Sequence, residues 1–271
     1  MSRQKFMQIE AKYFHDLESL SLEAANLIAR RAKEKAGQGE SFTLVLSGGK
    51  TPQRLYEILS WPPFLIEMPW SRIHFFWGDE RCVPPDHPDS NYYLANQSLL
   101  ARVNPPETNT HRILAEKGQG PLAAREYERD ILAFFHSLNR PTMESAVTKK
   151  NPPIPTLSKE NEERSIAPSF DLILLGLGKD GHTASLFPGD PALMEEERLT
   201  AYVPEPGLPP DLPRVTLTLP IINQAEEVIF LVSGEEKQGV VRTILDDPSN
   251  AQERYPAARV QPRGKLYWFI A

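Results

Sequence analysis

A histidine, an aspartate and three glycines lie close together in residues 171–188, whose sequence is DLILLGLGKDGHTASLFP. The run starts with apolar residues that predict a buried strand, and Gly176, Gly178 and Gly181 predict a tight turn directly after it. Glycine lets the backbone approach a ligand closely, and the ordinary pKa of histidine suits proton transfer near neutrality. The turn therefore predicts an active site in which His182 transfers a proton.

The same glycines match the G-x-G-x-x-G pattern of dinucleotide-binding sites. That pattern requires a long helix opening at its last glycine, whereas Pro188 and Gly189 interrupt the chain after barely two helical turns. It also usually marks the first strand of its fold, and here most of the chain lies upstream. We therefore reject a nicotinamide or flavin cofactor at this turn.

A second glycine-rich turn follows the predicted strand FTLVL at residues 42–46. Ser47, Gly48 and Gly49 supply backbone N–H groups, a hydroxyl and the positive end of the following helix, which together suit a phosphate. The turn is too short for the P-loop pattern that binds ATP. From this segment alone, a phosphate site and a plain tight turn with a helix cap are equally open.

Charged side chains accompany three further predicted elements. Asp79 and Arg81 follow the predicted strand at 73–77, where it reaches the carboxyl edge of the sheet. Arg81 could bind phosphate through two hydrogen bonds, and Asp79 could orient a histidine or move a proton. Arg214 begins another predicted strand and Lys237 opens a helix, so either could neutralise a phosphate. Solvated surface roles stay open for all of these charges.

Alternating helix and strand patterns surround these residues. Apolar residues recur at helical spacing in a first helix that ends near Lys35, and Pro52 lies in the first turn of a second helix. The predicted strands are residues 42–46, 73–77, 171–175, 214–219, 228–232 and 266–270, and the predicted helices include 17–35, 122–138 and 235–245.

This alternation predicts an α/β fold with a mainly parallel sheet flanked by helices on both faces, in one domain spanning residues 1–271. The segment from 140 to 168 departs from it, because it is rich in Pro, Ser, Lys, Asn and Glu and poor in large apolar residues. A functional lid and a tolerated surface insertion are both open, and the composition favours the insertion.

Charge and composition exclude several classes of function. The formal net charge of −6 argues against broad binding to nucleic acid or acidic membranes, since both need a basic face. The single Cys82 forms no intrachain disulfide, and the sequence has neither a bilayer-spanning apolar stretch nor a signal peptide, so we expect a soluble cytoplasmic protein.

The remaining histidines show no paired spacing, so no metal site is predicted; they are His15, His74, His87, His111 and His136. The G-x-S-x-G pattern of a serine hydrolase is absent from the sequence. If the protein is a hydrolase, activated water is therefore the expected nucleophile.

Five motifs in a fixed order carry a resemblance that spans most of the chain. They are LSGGKTP at 46–52, WGDER at 77–81 with DSNY at 89–92, LGLGKDGHTASLFP at 175–188, RVTL at 214–217 and SGEEK at 233–237. With these motifs the chain resembles the 6-phosphogluconolactonase family, whose members open 6-phosphoglucono-1,5-lactone in the oxidative pentose phosphate pathway.

The resemblance implies a three-layer, Rossmann-like fold that binds a sugar phosphate at the strand ends and needs no cofactor or metal. In the catalytic set, His182 would activate water, with Asp79 and Asp180 as polar supports. Backbone N–H groups near Gly178 or Gly181 are candidates for stabilising the oxyanion. The residues expected to bind the substrate and its phosphate are Ser47, Gly48, Gly49, Arg81, Gly181, Arg214 and Lys237.

The glucosamine-6-phosphate deaminases are the main alternative, because they share the Ser-Gly-Gly, Asp-Glu and Asp-Gly-His segments. In their pattern a glutamate follows the histidine by five residues, where this chain has Phe187, and Arg81 has no counterpart. A non-catalytic sugar-phosphate sensor is a third possibility, against which His182 argues. We expect a small sugar-phosphate lactone as ligand, no nucleic-acid or membrane partner, and a monomer or small homo-oligomer.

Overall fold

Six parallel strands form the central sheet of the computed structural model, which describes residues 8–117, 120–138, 167–207 and 209–271. The strand order is β1-β9-β8-β5-β2-β3, and all five neighbouring pairs are parallel. The predicted α/β fold with a mainly parallel sheet is confirmed. The strands are β1 Gln8–Tyr13, β2 Phe42–Leu46, β3 Ile73–Trp77, β5 Leu172–Leu175, β8 Glu227–Val232 and β9 Lys265–Ile270.

The inner strands of this sheet are buried along their length. Every residue of β2, β5 and β8 is buried, as expected where elements cover both faces of a parallel sheet. The edge strand β1 differs, because its sequence QIEAKY is largely exposed. Its polar residues hide it from a search for apolar runs, and the sequence analysis did not predict it.

Helices flank the sheet and begin where local sequence signals place them. Helix α1, Leu17–Gly37, opens with a capping box in which the Asp16 carboxylate accepts the Ser19 N–H at 2.8 Å. The predicted helix at 122–138 is observed as α6, Gly120–Leu138. The other α-helices are α2 Lys50–Leu59, α3 Phe64–Glu67, α4 Asn91–Ala95, α5 Ala101–Val103, α7 Leu219–Ile222, α8 Gln238–Asp246 and α9 Pro248–Arg254.

A second sheet of three antiparallel strands stands beside the large one, and the sequence analysis did not predict it. Its order is β4-β7-β6, with β4 at Asp79–Arg81, β6 at Thr200–Val203 and β7 at Arg214–Leu217. The strand predicted at 214–219 is therefore shorter and lies outside the parallel sheet, since Thr218 is already the N-cap of α7. Pairing of β4 with β7 sets Arg81 opposite Arg214.

Most of the predicted insertion at 140–168 lies outside the described residues, which resume at residue 167. Within the described ranges, none of the helices combines the length and the apolar character needed to cross a bilayer.

Candidate active site

A cavity of about 280 Å³ lies at the carboxyl ends of β2 and β5, which are neighbours in the sheet. Ligands bind at this edge of α/β sheets because the turns after adjacent parallel strands converge there. Eight of the ten predicted site residues line the cavity: Ser47, Gly48, Gly49, Asp79, Arg81, His182, Arg214 and Lys237. Asp180 and Gly181 are not part of its wall.

The turn after β2 is held by a buried tyrosine of α2. The Ser47 N–H donates to the Tyr56 hydroxyl at 2.9 Å, and that hydroxyl donates to the Ser47 carbonyl at 2.7 Å. A Cβ at Gly48 would lie 1.9 Å from Oδ1 of Asn91, so only glycine fits there. Gly49, with a φ of +100°, is the N-cap of α2, and no side chain caps this helix. Its free first-turn N–H groups suit an anion.

The end of β3 is held in the same way by a tyrosine of α6. The Trp77 N–H donates to the Tyr127 hydroxyl at 2.9 Å, and the hydroxyl donates to the Trp77 carbonyl at 2.9 Å. The backbone that leads to Asp79 and Arg81 is thereby anchored to a helix, which fixes where these two side chains start.

The turn after β5 uses glycine to bring the histidine close to its own backbone. A Cβ at Gly178 would lie 2.1 Å from Nδ1 of His182. The Gly178 N–H donates to the His182 carbonyl at 2.9 Å, and the Gly181 N–H donates to the Gly178 carbonyl at 3.0 Å. Both of these N–H groups are bound within the turn, and the expectation that N–H groups near them stabilise an oxyanion stays a prediction.

Asp180 holds the imidazole of His182 in one orientation. Nδ1 of His182 lies 2.6 Å from Oδ1 of Asp180, and the His182 backbone N–H donates to the same oxygen at 3.2 Å. Burial favours the neutral carboxyl, but the hydrogen bond and charge of His182 outweigh it, so the pKa of Asp180 lies below its ordinary value. An ionised Asp180 accepts the proton on Nδ1, which leaves Nε2 as the nitrogen that can accept another.

Gly181 serves the turn rather than the cavity wall. Its φ is +80°, and a Cβ there would lie 2.3 Å from Cδ1 of Tyr255. Its carbonyl accepts the Ala257 N–H at 3.0 Å. Gly181 thus docks the histidine turn against the segment after α9, and the structure does not place it where a ligand in the cavity would touch it.

Asp79 lines the cavity, but its carboxylate is already engaged. Oδ2 accepts the Ser185 hydroxyl at 2.6 Å, and Oδ1 accepts the Asn91 amide at 3.0 Å. A guanidinium nitrogen of Arg214 lies 3.9 Å from Oδ2. The expectation that Asp79 could orient the histidine is wrong, because His182 is not among its partners.

Glu80, which sequence reasoning passed over, is a buried anchor beside the site. Its carboxylate accepts backbone N–H groups of Arg81, Asn91 and Tyr92, each at 2.7 Å, and the Ser90 hydroxyl at 3.0 Å. Burial nevertheless raises the pKa of this carboxyl. Glu80 therefore fixes the start of α4, where Ser90 is the N-cap, against β4.

The cavity is strongly cationic. Asp79 is the only acidic residue on its wall within the described ranges. The Nε atoms of Arg81 and Arg214 are buried and have no hydrogen-bond partner in the described part of the chain. Burial lowers the pKa of both Arg214 and Lys237. An anion in the cavity would stabilise these buried cations. The cationic wall residues are Lys50, Arg81, Lys179, Arg214 and Lys237.

Sequence reasoning missed four residues that build this site. Lys50 and Lys179 line the cavity. Both lie inside the sequence motifs, but only neighbouring residues of those motifs were predicted to bind a ligand. Asn91 and Ser185 bind Asp79 across long sequence separations. Such pairings leave no periodic signal, so only the folded chain reveals them.

A second histidine group lies away from the cavity. Nδ1 of His74 is 3.1 Å from Nε2 of His111, whose Nδ1 is 3.1 Å from a carboxylate oxygen of Asp130. The His111 ring stacks on Phe76 at 4.3 Å and meets the edge of Phe134 at 5.0 Å. Among the described residues, no three or more His, Cys, Asp or Glu side chains are grouped as a metal site would need.

The geometry can therefore combine two kinds of chemistry. An imidazole with its Nδ1 held and its Nε2 available can move a proton. Around it, guanidinium and ammonium groups and an uncapped helix start can hold an anion.

Comparison with known proteins gives one consistent result. The model of the family described as glucosamine-6-phosphate isomerases/6-phosphogluconolactonase matches residues 15–268. The chain is 40% identical to a 6-phosphogluconolactonase of Synechocystis over 89% of this chain and 85% of the relative. It is 35% identical to a 6-phosphogluconolactonase of Nostoc over 94% of this chain and 92% of the relative. The crystal structure of 6-phosphogluconolactonase from Thermotoga maritima is 30% identical, with a TM-score of 0.73 over 97% and 99% of the two chains.

Proposed function

We propose a function from one premise: this chain belongs to the glucosamine-6-phosphate isomerase/6-phosphogluconolactonase family. It hydrolyses 6-phospho-D-glucono-1,5-lactone to 6-phospho-D-gluconate in the pentose phosphate pathway, which is supported by relatives named 6-phosphogluconolactonase. The observation that carries the proposal is a cavity with five cations on its wall and an imidazole among them. A phosphorylated lactone needs both an anion site and a proton acceptor.

His182 activates the water. Neutral Nε2 accepts a proton as the water oxygen attacks the lactone carbonyl carbon, and a tetrahedral intermediate forms. The same nitrogen returns the proton to the ring oxygen as the bond between that oxygen and the carbonyl carbon breaks. Asp180, 2.6 Å from Nδ1, stabilises the imidazolium between these two steps. Atoms balance, since one water is consumed and the products are a carboxylic acid and a hydroxyl group.

The phosphate anchors the substrate at a distance from the reacting carbonyl. The guanidinium groups of Arg81 and Arg214, together with Lys237 and the start of α2, are the proposed phosphate ligands. Binding energy gained there keeps the carbonyl in register with His182 and so lowers the barrier to attack. Asp79 keeps Arg214 in place and takes no part in proton transfer.

The site favours lactone hydrolysis over the deaminase alternative. Phe187 stands five residues after His182, where the deaminase pattern has a glutamate, and its ring is buried against the imidazole at 4.6 Å. An apolar ring at this place cannot supply the carboxylate that ring opening of an amino sugar would use. Arg81 adds a second departure from that pattern.

The remaining expectations about the protein's setting stay proposals. One catalytic domain is supported by the pairing of β1 with β9, which joins both ends of the chain in one sheet. The half-buried single Cys82 fits a reducing cytoplasm. The protein is expected to act as a monomer or small homo-oligomer without a cofactor.

The proposal is tested by following the opening of freshly prepared 6-phosphogluconolactone, with spontaneous hydrolysis subtracted. Rapid opening by the purified protein is the expected result. If the protein adds nothing to the spontaneous rate, the lactonase assignment fails. Release of ammonia from glucosamine 6-phosphate in a parallel assay would then favour the deaminase, and binding of sugar phosphates without turnover would favour a sensor.

A further inference from the structure

Phe187 touches two groups of the cavity without lining it. Its ring centroid lies 4.6 Å from that of His182, with the ring planes at 43°. The guanidinium carbon of Arg214 lies over the same ring, 5.6 Å from its centroid. The side chain itself is only 5% exposed, so a ligand in the cavity does not reach it.

The segment that carries Phe187 is fixed to both sheets. The Ser185 N–H donates to the Thr216 hydroxyl at 3.1 Å, and the Ser185 hydroxyl donates to Asp79 at 2.6 Å. Thr183 is tied to the end of β5, because its hydroxyl donates to the Gly176 carbonyl at 2.8 Å. The loop that carries the ring is therefore held in place by three hydrogen bonds.

Aromatic rings form favourable contacts with guanidinium and imidazole groups, and these are the two neighbours of Phe187. A guanidinium is attracted to the electron-rich face of a ring, and a tilted imidazole packs against it with defined geometry. An aliphatic side chain of similar size would fill the space but would offer no such face. Phe187 thus joins the proton acceptor to a proposed anion ligand across two elements, the loop after β5 and strand β7.

We propose that Phe187 is a positioning residue that sets the spacing between the His182 imidazole and the Arg214 guanidinium. The inference rests on the proposed function, in which the first group acts on the lactone carbonyl and the second holds the phosphate. The ring thereby selects substrates whose carbonyl and phosphate lie at one separation. Moving the ring would disturb turnover and binding together, whereas loss of either neighbour alone would affect mainly one of them.

Kinetic constants for 6-phosphogluconolactone provide the test, with three variants. Phe187→Leu removes the ring face, Phe187→Tyr keeps it, and Phe42→Leu is the matched control, since Phe42 is also buried but lies at the amino end of β2. We expect Phe187→Leu to lower kcat and raise KM, with kcat/KM falling about 10-fold because small misplacements are costly near reacting atoms. Phe187→Tyr and Phe42→Leu should stay close to wild type.

A spectroscopic measurement shows whether the ring lies against the imidazole in solution. The Cε1 proton of His182 is expected to be displaced in the NMR spectrum by the ring current of Phe187, and Phe187→Leu should abolish that displacement while Phe187→Tyr retains it. Wild-type kcat and KM in Phe187→Leu would overturn the inference. So would an equal loss in Phe187→Leu and Phe187→Tyr, or in Phe187→Leu and Phe42→Leu. An inactive wild type would instead refute the proposed function, whereas an active wild type without a ring-current displacement would overturn the inference itself.

Discussion

His182 and His111 each lie within hydrogen-bond distance of a carboxylate, and their surroundings differ. His182 lies 2.6 Å from Asp180 and lines a cationic cavity. His111 lies 3.1 Å from Asp130, but its other nitrogen is taken by His74 and its ring is stacked on Phe76. The first pair leaves one nitrogen available to a ligand, whereas the second leaves none.

The difference shows that a histidine and a carboxylate do not make a site by themselves. Burial and, to a smaller extent, the neighbouring His111 lower the pKa of His74 to about 4, so His74 is neutral at neutral pH inside aromatic packing. At the other pair the glycines of the turn leave room for the imidazole, and the cations nearby attract an anion. A histidine can act on a ligand when the ligand can reach it and nearby charges attract that ligand. The presence of a histidine and a carboxylate alone does not decide this.

The largest expected difference in the rate of lactone opening is between variants that lack His182 and variants that lack His111. His182→Ala should slow the opening of 6-phosphogluconolactone by about 100-fold or more, because a general base is lost. His111→Ala should leave the rate per folded molecule near wild type. Rates measured beside circular dichroism spectra check both, and a fully active His182→Ala would remove the basis for the comparison.

Exchange of the two carboxylates for amides should give the next largest effect. In Asp180→Asn the amide nitrogen can donate to Nδ1 and so favour the tautomer with its proton on Nε2, which cannot accept another. We expect kcat to fall on the order of 10- to 100-fold, with KM little changed. Asp130→Asn is the control and should keep the wild-type kcat. Equal losses in the two variants would show that Asp180 does no more than support the fold.

Five cations line the cavity around His182, and Lys237 tests their role. Lys237→Met should raise KM by roughly 10-fold, the value of one charge-assisted hydrogen bond. Since burial lowers the pKa of Lys237, binding of 6-phosphogluconate should weaken as the pH rises, starting below the range of an ordinary lysine. Lys237→Arg should move that loss to higher pH. Calorimetric titration at several pH values measures it, and a pH-independent affinity would contradict the assignment.

The smallest expected effect is on the free energy of unfolding and comes from His74, which contacts His111. The unfolded chain binds a proton at His74 near the ordinary pKa of 6.5, whereas the folded chain binds it only near 4. The free energy of unfolding should therefore fall as the pH decreases through this window. His74→Phe should reduce that fall by on the order of 1 kcal/mol, a value discounted for partial exposure. Urea titrations at neutral and acidic pH measure the free energy of unfolding of both proteins. An identical pH dependence in wild type and His74→Phe would refute the prediction.

The sequence reveals the parts of the fold that repeat along the chain. β2 and β3 were predicted with the observed bounds, because each is a short apolar run between turn signals. The five motifs led to the correct family, since each keeps its residues adjacent. β1 escaped because an exposed edge strand has no apolar run, and the antiparallel pairing of Arg81 with Arg214 joins residues far apart in the chain.

The site follows the same rule. The positions of His182, Arg81 and the Ser-Gly-Gly turn around one cavity agree with the prediction, because all lie just after or at the ends of strands. The sequence left Asp79 and Asp180 both open as supports, and only the folded turn shows that Asp180 contacts the histidine. Nor could spacing reveal that His74 and His111 touch, as they are 37 residues apart.

The cationic cavity belongs to a chain whose formal net charge is −6. A doubly charged sugar phosphate is therefore repelled by the protein as a whole and attracted only near the opening. At physiological ionic strength the attraction extends about 8 Å, the Debye length. Capture thus depends on random encounters close to the opening, and dissolved salt screens the distant repulsion and the local attraction together. The association rate should consequently respond less to ionic strength than that of an enzyme with a basic surface.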